Sequence, residues 1–195
     1  MIVIPENLPE RVASLTWLLG TWQGWGTTTA AEENSLVTFE FKGYVVDDNV
    51  RSTLTVYSTD TAANLDSDTP ALEGVQILRR RRILWEETAY WSVLNSEDKP
   101  EDKFLQVTTA LSTGRAHLWV GKVAGPRIRL LIDTIARAAS AEAVTEGERM
   151  FGLVNSDIFW TETLVTEEKN LTTSGRMSRV EDPDEIDIFG DESHA

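Results

Sequence analysis

The 195-residue sequence has no cysteine, only two histidines and few cations, with 18 Lys+Arg against 32 Asp+Glu for a net charge of −14. The missing cysteines exclude disulfides, thiolate nucleophiles, Cys-ligated zinc and Cys-held iron–sulfur clusters. No apolar run approaches the roughly 20 residues a membrane helix needs. The opening Met1-Ile2-Val3-Ile4-Pro5-Glu6 has no basic residue and no cleavable apolar core, so it does not read as a secretory signal, and a cytoplasmic chain is expected. The negative field disfavours nucleic acid and anionic membrane surfaces as partners. One basic cluster, Arg79-Arg80-Arg81-Arg82, stands against it and reads as a solvated hairpin end. Acidity is concentrated at the end of the chain, which divides into a domain over 1–180 and an acidic tail over 181–195 with too little apolar material to fold alone.

What is present is a core. Hydrophobic residues make up 41% of the chain, with seven tryptophans, enough for one domain. The sequence is organised around Trp17-Leu18-Leu19-Gly20-Thr21-Trp22-Gln23-Gly24-Trp25-Gly26. Residues 9–19 read as a short helix that Gly20 ends. The following alternation puts Gly20, Trp22, Gly24 and Gly26 on one face and Thr21, Gln23 and Trp25 on the other. Each glycine weakens a helix by about 1 kcal/mol relative to alanine, so the segment reads as a strand whose glycines let a backbone or ligand come close.

Downstream, alternating runs predict strands over 36–46 and 51–58, then 75–78 and 83–94 with the arginine run between or across them. Further strands fall at 104–110, 115–121, 127–132, 149–154, 158–164 and 175–180, and the intervening turns are hairpin-sized. Residues 135–149 are rich in Ala, Glu and Arg and read as helical on propensity alone. About ten short strands without helix–strand alternation predict an all-β, antiparallel up-and-down barrel with a short N-terminal helix.

The motifs carry a resemblance. Gly20-Thr21-Trp22-Gln23-Gly24-Trp25-Gly26 matches the GxWxGxG signature of the nitrobindin family, haem-binding barrels of the calycin, fatty-acid-binding-protein-like shape. Leu84-Trp85-Glu86-Glu87-Thr88-Ala89-Tyr90-Trp91 is similar to its "LHxExGYWR" strand, Arg149-Met150-Phe151-Gly152-Leu153-Val154 to its "RxYxL", and Met177-Ser178-Arg179-Val180 to its closing "LxRV". The resemblance implies that residues 135–149 belong to the barrel. It also implies a haem at the barrel mouth, held by a histidine shortly before the closing motif, and chemistry on nitric oxide and peroxynitrite.

Iron needs an axial donor, and histidine is the usual one in gas-binding haem proteins. The position implied for it is Thr172, whose hydroxyl is a poor donor. The family's "YPT" element is also replaced, by Thr27-Thr28-Thr29-Ala30-Ala31. His117 reads as a surface imidazole, His194 lies in the tail, and Met177 reads as packing. No triad, phosphate loop, dinucleotide fingerprint or calcium loop is present, so neither a catalytic residue nor a metal site is assigned. The large aromatics Trp22, Tyr44, Trp91, Trp119 and Trp160 sit on separate strands and are the candidate lining of a cavity.

The sequence is therefore read as a barrel without a cofactor that binds a small apolar ligand. The alternative is a haem protein acting on nitric oxide or peroxynitrite through an atypical ligand such as His117 or Met177. A homodimer stays open, as do the roles of the tail and of Arg79–Arg82.

Overall fold

The computed structural model describes residues 8–30, 35–60, 65–95 and 103–180. Glu10–Leu18 forms a 3-10 helix that opens after Pro9, and its apolar residues Val12, Leu15, Trp17 and Leu18 are all buried. Ten strands follow: β1 (Gly20–Thr28), β2 (Ser35–Val46), β3 (Asn49–Thr59), β4 (Arg80–Asn95), β5 (Lys103–Leu111), β6 (Arg115–Val123), β7 (Arg127–Arg137), β8 (Glu146–Val154), β9 (Asp157–Val165) and β10 (Asn170–Arg179). Each pairs antiparallel with its sequence neighbour, and β1 pairs with β10 to close the barrel. Closure removes the free edges that an open sheet would expose.

The alternation read in the sequence becomes the barrel wall. Gly20, Trp22, Gly24 and Gly26 face inward on β1, and the close approach their stripe allows is that of the β10 backbone. A Cβ on Gly24 would lie 1.8 Å from the Arg176 carbonyl oxygen, and one on Gly26 would lie 1.9 Å from that of Ser174. Trp25 faces outward and anchors a helix on the outer wall, α1 (Ala71–Ile77). Its Nε1 donates to the Thr69 carbonyl at 3.2 Å, and Gly74 of α1 packs on its ring.

Two local expectations change here. Residues 75–78 are not a strand, because 71–77 form α1. The arginine run is not a hairpin end but the start of the long β4. Arg80 lies 4.5 Å from the centroid of the Tyr57 ring and 3.4 Å from Glu40, and Arg81 lies 3.5 Å from Asp60. The 135–149 segment divides between the end of β7, a turn and the start of β8, with no helix.

The interior is stratified. The 3-10 helix plugs one end over Trp22, whose ring lies 4.2 Å below the Arg179 guanidinium. The middle is filled by Phe39, Phe41, Trp91, Phe151 and Trp160, with edge and stacked contacts at centroid distances of 5.2–6.5 Å. Such ring pairs add about 0.5–1.5 kcal/mol each beyond the area they bury. Trp22, Trp91, Trp119 and Trp160 are all interior. Tyr44 is not: it stands on the outer face of β2 under the Arg51 guanidinium, 5.5 Å from its ring centroid, because Gly43 and Val45 take the inward positions. Above the aromatic layer, at the end away from the 3-10 helix, the interior turns polar.

Candidate functional site

The polar end is built from inward positions of four strands. Glu87 on β4 follows the inward Trp85, His117 and Trp119 are neighbouring inward residues of β6, Arg149 precedes the inward Phe151 on β8, and Glu162 lies between the inward Trp160 and Leu164 of β9. All five are buried.

Arg149, 2% exposed, is the hub. Its Nη1 and Nη2 donate to the two oxygens of Glu87, each at 2.7 Å, and its Nε donates to Glu162 at 2.8 Å. Nη2 also donates to Glu162. The guanidinium lies 4.6 Å from the centroid of the Trp119 ring, whose Nε1 donates to Thr109 at 3.3 Å. Burial alone would lower the arginine's pKa, but Glu162 and Glu87 outweigh it and push it up. Burial, reinforced by Glu87, raises the Glu162 pKa against the pull of Arg149. Two carboxylates share one cation, so the cluster carries more negative than positive charge when all three groups are ionised.

His117 differs from its neighbours. It is 2% exposed, meets Trp119 edge-on at 5.6 Å, and neither ring nitrogen has a hydrogen-bond partner among the described residues. The surface position expected for it is wrong: Arg115, His117 and Trp119 form the inward face of β6, not the outer one. Burial, then the charges of Arg149 and Arg115, lower its pKa from 6.5 to about 4, with Glu87 pulling the other way. At neutral pH it is therefore an uncharged imidazole with a free lone pair, the form that ligates a metal. An unpartnered buried polar group costs about 1–3 kcal/mol, which an added ligand would offset.

Arg115 is the next inward residue toward the opening, about 7 Å along the strand at the usual rise. Its Nε and Nη1 are buried and unpartnered. It lines a chamber of about 330 Å³ at the barrel mouth, together with Ala30, Trp85, Leu171 and the hairpin residue Thr113. Thr172 does not face this interior. It pairs with the outward Thr163 of β9, between the inward Leu171 and Thr173, and its N–H donates to the Thr29 hydroxyl at 2.8 Å. Met177 is inward and fully buried, opposite Ile158.

The His117 pKa gives a pH prediction. The unfolded imidazole takes its proton near pH 6.5 and the folded one near 4. Between those values the unfolded chain binds more protons, so stability falls as pH drops through that window. The wild type should lose about 2 kcal/mol more than His117→Phe between pH 6.5 and 4, allowing for solvent screening at the mouth. Urea midpoints measured across the window check this. Glu162 is common to both proteins and leaves the difference to His117.

A closed barrel plugged at one end, with unpartnered donors gathered at the other, defines a small-ligand-binding barrel. The chain belongs to the nitrobindin family: residues 11–179 match the family described as "THAP4-like, heme-binding beta-barrel domain". It is 33% identical over 186 residues to a "Ferric nitrobindin-like protein" of Kineococcus radiotolerans, covering 89% of this chain and 96% of that one. It is 30% identical over 199 residues to a "Peroxynitrite isomerase" of Leifsonia xyli subsp. xyli, covering 93% and 100%. The crystal structure of Rv2717c from M. tuberculosis has the same fold, with a TM-score of 0.68 at 19% identity, covering 90% of this chain and 100% of that one.

The family match corrects the expectation of no cofactor. A haem-binding domain spans nearly the whole barrel, so haem is the expected cofactor. Two residues of β6 fit it in kind: the neutral imidazole of His117, buried below the chamber, for the iron, and Arg115 on the chamber wall, whose Nε and Nη1 have no partner among the described residues, for the carboxylates of the macrocycle. No helix among the described residues is long and apolar enough to cross a membrane.

Proposed function

We propose that this protein binds haem at the end of the barrel opposite the 3-10 helix, with His117 on β6 as the iron ligand, and that it acts on peroxynitrite. The observation that carries the reading is the state of His117, a buried imidazole that is neutral at physiological pH with both nitrogens unpartnered. In this reading Thr172 supplies no ligand, and the donor has moved from β10 to β6. Haem, which His117 would hold, would supply a ferric iron as a Lewis acid for a small anion.

The chain's own residues do the rest. Arg115 supplies positive charge and free N–H donors at the mouth, favouring the haem carboxylates or an incoming anion. Trp85 and Leu171 give the chamber the apolar part of its wall, beside the polar Arg82, Thr113 and Glu142. Burial first, then the cations of Arg149 and Arg115, keep the His117 imidazole unprotonated and available as a donor, with Glu87 opposing them. The substrate rests on the names of relatives such as the Leifsonia peroxynitrite isomerase.

The test is a titration of the purified protein with ferric haem, followed by the Soret band. One-to-one saturation with a histidine-ligated spectrum is expected, together with faster decay of added peroxynitrite to nitrate. A spectrum identical to free haem in buffer would sink the proposal. Saturable binding without an effect on peroxynitrite would remove the activity and leave the binding.

A further inference from the structure

The outer wall of the barrel carries a second concavity, separate from the mouth. A groove of about 910 Å³ crosses β7 to β10 and reaches β1, where the loop carrying Leu65 and Ser67 borders it. Its floor is apolar and open to solvent: Met150 is 43% and Phe159 42% exposed, large side chains over which no described element packs. Isolated exposed apolar residues are ordinary, but a grooved cluster marks a surface that something covers.

The charge of this groove is unlike that of the chain. The molecule carries −14 overall, yet the lining contains Lys122, Arg127, Arg129 and Arg176 and no Asp or Glu among the described residues. Arg129 pairs with Glu148 at 2.5 Å and Arg176 with Asp157 at 2.6 Å at the rim. Arg127 makes no ion pair among the described residues, so the groove has a surplus of positive charge over an apolar floor. Its complement is an acidic segment with a few large apolar residues.

The chain carries such a segment. Residues 181–195 lie outside the described residues and contain seven carboxylates, no Lys or Arg, and the apolar Ile186, Ile188 and Phe189. The sequence Glu185-Ile186-Asp187-Ile188 alternates, so an extended conformation would put both isoleucines on one side and the acids on the other. Reach is sufficient. The described chain ends at Val180, whose N–H donates to the Thr21 carbonyl at 3.0 Å. Gly152 on the groove floor is level with Phe159 and Arg176, so it lies about 17 Å from Val180, four residues along and two strands across. The eight residues from Val180 to Ile188 span up to about 28 Å.

We propose that the acidic C-terminal segment docks into this groove of its own barrel, with Ile186 and Ile188 on the Met150–Phe159 floor and its carboxylates against Arg127 and the neighbouring cations. The interaction is intramolecular, so a weak contact is sustained by the high effective concentration of a tethered ligand. It weakens with salt, as charge-assisted surface contacts do.

The cysteine-free background permits a direct test on the full chain. Ile188→Cys is combined with Gly152→Cys on the groove floor or, as control, with Thr53→Cys on the outer face of β3, on the opposite side of the ring of strands. Gly152 tolerates the change, since a Cβ there meets nothing closer than 4.0 Å. Met150→Cys provides an independent second partner. Under mild oxidation the groove pairs should form an intrachain disulfide at least tenfold faster than the control, and adding Arg127→Glu should slow them. Equal rates at groove and control sites would overturn the docking. So would a product that is mainly disulfide-linked dimer, which would assign the groove to a second copy of the chain.

Discussion

Arg149→Met should lower the unfolding free energy by about 3–5 kcal/mol, the cost of breaking a buried ion pair from one side. The substitution removes the cation that pairs with Glu87 and Glu162 and leaves both carboxylates in the barrel interior. It also removes the guanidinium from the Trp119 ring. Urea unfolding followed by tryptophan fluorescence reads the loss. The cause is checked by rescue: Arg149→Met combined with Glu87→Gln and Glu162→Leu should recover a large part of it, because the cost comes from stranded charge and not from lost volume. A triple variant as unstable as the single one would show that the arginine matters for packing instead.

The second large effect concerns the ligand. His117→Ala should weaken ferric-haem binding about a hundredfold, or ~2.7 kcal/mol, while leaving the fold intact, since the imidazole makes no hydrogen bond whose loss would strand a partner. Free imidazole should restore a ligated Soret spectrum by filling the vacated space. Thr172→His should not restore it, because that side chain stands on the outer face between the inward Leu171 and Thr173. Recovery of tight binding by Thr172→His in the His117→Ala background would return the iron to β10.

Much of this architecture was legible in the sequence. The two-residue alternation of β1, β2, β3 and β9 survives in the structure nearly residue for residue, because a strand with one buried face tolerates no register slip. The helix α1 was missed because its seven residues are too few for a helical period, and it is held by the Trp25 ring, a tertiary contact that no local pattern reports. Tyr44 was misplaced for a related reason: its size suggested the core, but its parity with the inward Gly43 and Val45 sets it outside.

The polar site was half legible. Glu87, His117, Arg149 and Glu162 each fall on the inward parity of their strands, next to Trp85, Trp119, Phe151 and Trp160. A charged or ionisable residue on an apolar face was the available signal. His117 was read as exposed although its neighbour Trp119 shared its face. That Arg149 joins two carboxylates from β4 and β9 depends on closure of the barrel, which brings together residues up to 62 positions apart in sequence. No spacing rule carries that information.

The iron–histidine stretching band of the ferrous haem complex tests the central claim most directly, recorded by resonance Raman on the full chain, His117→Ala and His194→Ala. The account predicts a band in the wild type and in His194→Ala that is lost in His117→Ala. A band that persists unchanged in His117→Ala would place the iron on another residue and contradict the assignment.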